Sequence, residues 1–240
     1  MWVVLIGFAI VALAHTAPFP FLLEYIGPER SMWRGPGGDD TPVIYLTYDD
    51  GPNPEATPAL LDLLARERVA ATFFVIPDHV NPSTAPIVRR AMEEGHAVAL
   101  HSATRRLMIE TPEGLASLLE AQAGTLEAMT GGRPCRMFRP HAGWRSGQMY
   151  EGLHRAGYTL AGWSPGMWDW NWWRAARPER LAPRLADRAS DGSIVVMHDG
   201  HHQNPRADRR RTVDATAQLI PLLRQRGFGF GTLCPPVALP

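Results

Sequence analysis

The 240-residue sequence contains no lysine: all 24 of its basic residues are arginine. That excludes Schiff-base lysine catalysis and the lysine of a phosphate-binding loop. There are two cysteines, Cys135 and Cys234, and no CxxC pair, so neither a zinc knuckle nor a disulfide framework is indicated. Net charge is also lacking. The 24 acidic residues balance the 24 basic ones, and with a pI near 7.1 no broad positive field exists to attract a nucleic acid. The one basic cluster, "RADRRR" at Arg206 to Arg211, reads as a solvated loop. No GxGxxG follows the first strand, which leaves a dinucleotide fold poorly supported. Internal repeats and low-complexity segments are absent too.

Long apolar runs are scarce. The longest, Trp2 to Ala14, falls short of the roughly 20 residues that span a bilayer as a helix. It ends in Ala12-Leu13-Ala14, a small-x-small pattern like that preceding a secretory cleavage site, but no positive side chain precedes it. An export signal or membrane anchor over residues 1–23 is the expectation, with a buried N-terminal helix as the other reading. Residues 24–42 are rich in proline and glycine and read as a connector.

From residue 43 onward short apolar runs alternate with longer amphipathic ones. Strands are predicted at 43–48, 70–75, 97–102, 137–140, 159–164, 193–198 and 228–233. Helices are predicted at 58–69, 85–94, 112–129, 147–156, 178–189 and 213–226, several stopping before a glycine. Strand–helix alternation means parallel strands with crossover helices. Seven such strands in this length point to an α/β fold, a distorted (β/α) barrel. In such a barrel the chemistry gathers at the carboxyl ends of the strands. Here five of the seven strands end in, or run directly into, polar or aromatic groups: Asp49-Asp50, His101, Arg139-Pro140-His141, Trp163 with Asp169-Trp170, and His198-Asp199. Adjacent carboxylates repel, so one of Asp49 and Asp50 needs a proton or a cation. Asp50 and His101 with a further ligand would hold a divalent metal, leaving Asp49 as base and His198 as acid, with Asp199 as a tuning group.

These residues, in this order, resemble the NodB-homology polysaccharide deacetylases, carbohydrate esterase family 4, over roughly residues 43 to 233. The family's TFDDGP motif stands here as Thr47-Tyr48-Asp49-Asp50-Gly51-Pro52. The resemblance implies Asp49 as catalytic base and Asp50 as metal ligand. In "EEGHAVALHS" it implies His101 as a histidine ligand, with His96 structural. An RPPYG-like turn stands as Arg139-Pro140-His141-Ala142-Gly143. Arg139 would pair with the catalytic acid, and the backbone N–H of Ala142 would help bind the oxyanion. Asp169-Trp170 keep the fourth motif and would contact substrate. "IVVMHD" supplies His198 as general acid. The implied protein is a hydrolase that removes N- or O-linked acetyl groups from a cell-envelope carbohydrate, with a divalent metal, zinc by preference. It would be exported or membrane-anchored and face the cell envelope.

Two departures stand out. Where the second motif normally places its second histidine, this chain has Arg105, in "HSATR". A guanidinium stays protonated and does not ligate metals. The fourth motif's first acid, which usually orients the arginine, falls on Gly166. Three readings follow: a metal held by Asp50 and His101 with a substitute such as His141 or extra waters; Arg105 supplying the charge itself, against Asp50 or an oxyanion; or a non-catalytic glycan-binding barrel. Trp163, Trp168, Trp170, Trp172 and Trp173 offer indole faces for sugar stacking. His201, His202 and Asp208 lie on a loop long enough to cover the mouth, while His79 and His154 read as ordinary. Cys135 and Cys234, placed at opposite rims, are expected to be free thiols, because a disulfide needs Cα atoms within about 7 Å.

Overall fold

The computed structural model describes residues 2–7, 31–164 and 177–236. Eight parallel strands are β1 (Ser31–Met32), β2 (Val43–Asp49), β3 (Thr72–Val75), β4 (Ala97–His101), β5 (Met137–Arg139), β6 (Thr159–Ala161), β7 (Ile194–His198) and β8 (Gly229–Phe230). The helices between them are α1 (Ala56–Glu67), α2 (Ala85–Glu93), α3 (Pro112–Thr130), α4 (Gly147–Arg155), α5 (Pro178–Arg188) and α6 (Arg210–Gln225). Three single turns of 3₁₀-helix sit in the loops, at Pro77–His79, Arg105–Ile109 and His141–Gly143. The sheet order is β1-β6-β5-β4-β3-β2-β7, with β8 paired to the start of β2.

The predicted helices and central strands stand within a few residues of their expected places. The starts have local causes. Thr111 caps α3 by accepting from Gly114 N–H at 3.1 Å, with Pro112 at the first helical position. Ser146 caps α4 through Met149 N–H at 3.1 Å. The stops after α2 and α6 fall at Gly95 and Gly227, with φ of 82° and 81°, a left-handed backbone that costs glycine nothing.

Period-two alternation divides each strand between two environments. On β2 the outward set, Ile44, Leu46 and Tyr48, meets the helical layer, with Leu60, Leu61 and Leu64 of α1 and Leu219, Ile220 and Leu223 of α6. The inward set, Tyr45, Thr47 and Asp49, shares the barrel interior with Phe74, Ala99, Met137, Ala161 and Ile194. This parity decides where the chemistry falls. Register pairs Asp49 with His198 and His101 with Arg139, so all four stand at the carboxyl ends of the strands.

The barrel is completed by residues of the segment read as a connector. β1 pairs with β6, and Trp33, buried, lies against Gly162. Arg34 forms an isolated bridge to Ser193, and Ser164 N–H donates to Ile194 O at 3.0 Å. The wall thus passes from β6 and β1 to β7 without a continuous ladder, which is the distortion.

The expectation of free thiols is overturned. Cys135 and Cys234 form a disulfide with Cα atoms 6.4 Å apart. The last strand does not run to the upper rim through residue 233. It ends after Phe230, and the chain then crosses beneath the barrel at the amino ends of the strands. Leu233 N–H donates to Thr72 Oγ1 at the start of β3 at 3.0 Å, and Leu233 plugs the interior. Cys234 thereby arrives beside Cys135, just before β5.

Residues 2–7 are helical and exposed. No helix among the described residues is long and apolar enough to cross a membrane. The rest of the apolar N-terminal run lies outside the described residues, as do Gly166, Trp168, Asp169, Trp170, Trp172 and Trp173.

Candidate active site

The site is a set of inward side chains at the carboxyl ends of β2, β4, β5 and β7. At its base Arg139, fully buried, reaches across the barrel and donates to Asp49 Oδ1 at 2.6 Å and to Thr47 Oγ1 at 2.8 Å. Its other amine donates to Gly162 O at 2.8 Å, its Nε to Ala161 O at 3.4 Å, and its plane covers the Phe74 ring at 4.0 Å. Burial lowers the arginine's pKa, and the Asp49 carboxylate opposes that shift. The backbone carbonyls after β6 thus hold the guanidinium, a task that the sequence pattern left without a side chain at Gly166.

Asp50 follows β2 with φ of 71°, a left-handed turn that aspartate tolerates better than most residues. Three contacts fix that turn. His79 Nδ1 donates to Asp50 O at 3.1 Å, Ile76 N–H donates to Gly51 O at 2.9 Å, and Gly200 N–H donates to Asp49 O at 3.3 Å. Gly200 is required there, because a Cβ would lie 2.0 Å from Asp50 O. His79 was read as an ordinary loop residue; its contact with Asp50 is long-range, and nothing in the local sequence signals it. His96 is structural as read, its Nδ1 accepting Ala71 N–H at 3.1 Å.

The Asp50 carboxyl is buried, and its Oδ1 accepts no well-formed hydrogen bond, although His101 Nε2 lies 3.2 Å away. Burial acts to raise its pKa. The His101 contact and the nearby charges of His101, His198 and His141 outweigh that and hold it well below the usual carboxylate range. Asp50, His101 and His141 each present a ligating atom within 4.8 Å of the others. His141 is pushed down to about 4 by burial, with His101 and His202 adding to the shift, so its imidazole is neutral and keeps a lone pair at neutral pH. An orphaned carboxylate oxygen between two imidazoles fits a divalent cation of the borderline class.

Arg105 does not pair with Asp50. It is exposed, and its guanidinium lies over the Trp144 ring at 5.2 Å. The His202 ring lies tilted against His141 at 4.5 Å and stacks on His201 at 4.5 Å, so the loop after β7 does reach the mouth. Asp208 instead binds Arg210 at the surface, at 2.6 Å. Asp199 faces away from the interior, donated to by Thr57 Oγ1 at 2.5 Å, and burial raises its pKa to about 7. Ala142 occupies an exposed left-handed turn, φ 51°, directly after His141, and His141 N–H donates to Ser102 Oγ at 2.8 Å. His198 ends β7 half-buried opposite Asp49. Asp169 and Trp170, expected at the site by motif, lie outside the described residues.

A sequence profile described as polysaccharide deacetylase matches residues 27–161. The chain is 35 % identical over 201 residues to a chitooligosaccharide deacetylase of Bradyrhizobium sp. (strain ANU 289), covering 78 % of this chain and 87 % of that protein. Among solved structures it resembles the Bc1960 peptidoglycan N-acetylglucosamine deacetylase, with TM-score 0.73, 25 % identity, and coverage of 90 % of this chain and 95 % of that one. It also resembles a family 4 acetyl xylan esterase from Clostridium thermocellum in complex with a cobalt ion, with TM-score 0.68, 28 % identity, and coverage of 80 % and 88 %. The motifs, the barrel and these likenesses agree, and the chain belongs to the polysaccharide deacetylase family.

Proposed function

We propose that this protein hydrolyses acetyl groups, N-linked ones foremost, from a chitooligosaccharide- or peptidoglycan-like carbohydrate of the cell envelope. The observation that carries the reading is the buried Asp49–Arg139 pair standing beside the donor set Asp50, His101 and His141. A divalent cation, zinc or cobalt by the chemistry of those donors, would be held by the three residues and supply Lewis acidity to the carbonyl and to water.

The chain's own residues divide the remaining work. Asp49, held in place by Arg139, takes a proton from the attacking water. The turn at Ala142 offers its N–H to the oxygen that becomes negative as the tetrahedral centre forms. His198, beside Asp49 on the neighbouring strand, gives a proton to the departing nitrogen. The amide C–N bond breaks, and the products are acetate and a free amino sugar. Asp169 and Trp170 contact the sugar in this scheme. His141 takes the ligand place vacated at Arg105, which favours the catalytic reading over a glycan-binding barrel.

The protein works outside the cytoplasm, either released or held by its N-terminal apolar run. The Cys135–Cys234 disulfide supports that location, since such bonds persist in oxidising compartments.

Acetate release from N-acetylated chitooligosaccharide and from peptidoglycan tests the reading. Asp49→Asn and His198→Ala are each expected to lower turnover by roughly 10²–10⁴-fold, as acid–base groups do. Full activity in Asp49→Asn overturns the mechanism. Elemental analysis should find about one metal ion per chain, lost in Asp50→Ala.

A further inference from the structure

The donor set and the acid–base pair leave one charged group at the mouth unused. Arg105 begins the 3₁₀ turn after β4, and Trp144 directly follows the turn that carries His141 and Ala142. The guanidinium over the indole therefore ties the β4–α3 loop to the β5–α4 loop beside the proposed oxyanion position. Arg105 is exposed, and no carboxylate lies within ion-pair distance of it among the described residues. Trp144 caps the His141–Gly143 turn, which places the guanidinium lying over it beside the cleft. The cleft's acids do not neutralise it. Asp49 is matched by Arg139, and Asp50 is buried against His101. Glu110, at the far end of the 3₁₀ turn, accepts from Thr111 N–H at 3.0 Å. A guanidinium stacked on an indole has lost much of its rotational freedom yet keeps its in-plane N–H groups available. Such a fork matches the two oxygens of a carboxylate.

We propose that Arg105, seated on Trp144, is a specificity-determining residue that binds a carboxylate carried by a sugar next to the one being deacetylated. The preferred substrate is then an acidic N-acetylated glycan. The carboxylate is either a lactyl ether, as on muramic acid, or a uronate. This rests on the deacetylase reading of the same site and narrows its substrate class.

The test compares three oligosaccharides of equal length: neutral N-acetylchitooligosaccharide, a peptidoglycan glycan fragment, and a uronate-containing N-acetylated chain. KM and kcat are measured for wild type and Arg105→Gln, and binding to the metal-loaded wild type and Arg105→Gln is measured by calorimetry without reliance on turnover. In Arg105→Gln the ratio of acidic to neutral KM should rise about 1.5- to fivefold, the range for one exposed ion pair, with kcat little affected. The wild-type preference should shrink in high salt. The acidic chain that loses affinity identifies which carboxylate is read. Equal wild-type affinity for acidic and neutral chains, or an equal loss for both in Arg105→Gln, overturns the inference. Acetate released from none of the three, with carboxylate-dependent binding intact, would overturn the deacetylase reading and leave the Arg105 site standing.

Discussion

The groups that matter most at the scale of single residues are charged or polar side chains removed from water. Arg139 and Asp49 are almost wholly buried and mutually paired. Removing one partner strands the other charge, so Arg139→Met should destabilise the fold by about 3–5 kcal/mol, read from the urea midpoint. His96 offers a pH test. Burial pushes its pKa down to about 4, so the folded state holds it neutral while the unfolded chain protonates near 6.5. A depressed pKa gives stability that is fully present above the unfolded value and lost as pH falls through the folded value. Stability should therefore decline between pH 6.5 and 4, by an amount on the order of 3 kcal/mol. His96→Asn keeps an acceptor for Ala71 N–H without the titration, and should flatten that acid limb. At this scale the sequence was legible where a motif fixes identity: Asp49, Asp50, His101, Arg139 and His198 all stand at one mouth. It was not legible for His79 or the Gly162 carbonyl, because each acts through a contact far away in the chain, whereas His202 was legible as part of a loop long enough to cover the mouth. His141 was legible as a candidate substitute ligand at the rim, and the structure brings it within reach of Asp50 and His101.

Elements explain how those residues meet. Strand parity turns Asp49 inward and Tyr48 outward, and apolar alternation signals that parity. Loop crossings are less visible. The approach of the β7–α6 loop to the β2 turn depends on Gly200, whose missing Cβ lets Asp50 O come close. Gly200→Ala should displace the Asp50 turn and weaken metal binding at least tenfold by titration, with a smaller loss of stability. The segment after β8 was misjudged for a related reason. Its glycine and aromatic pattern, "FGFGTL", reads as a strand, but pairing stops after two residues and the chain turns under the barrel. The disulfide there closes a long loop, its cysteines 99 positions apart in the sequence. The double variant Cys135→Ser/Cys234→Ser should lose about 2–5 kcal/mol, and alkylation of the unfolded, unreduced wild type should label neither cysteine.

For the whole molecule, the barrel class followed from strand–helix alternation, whereas its closure did not. A two-residue strand inside a proline- and glycine-rich stretch carries no periodic signal, yet β1 finishes the wall. Metal binding couples to global stability as any ligand does. Cation at one hundred times its dissociation constant adds about 2.7 kcal/mol, which for a chain of this size raises Tm by roughly 5–10 °C over the chelated protein. The closing strand would also bound any trimming of the N-terminus. Without Ser31 to Arg34, β6 would present bare ladder groups, among them Gly162 N–H, which now donates to Met32 O at 2.8 Å. A bare strand edge is a template for another chain. A product cut beyond Ser31 should associate through that edge and sediment as aggregate, so any N-terminal cleavage compatible with the fold would lie upstream of Ser31, as the small-residue stretch ending at Ala14 does.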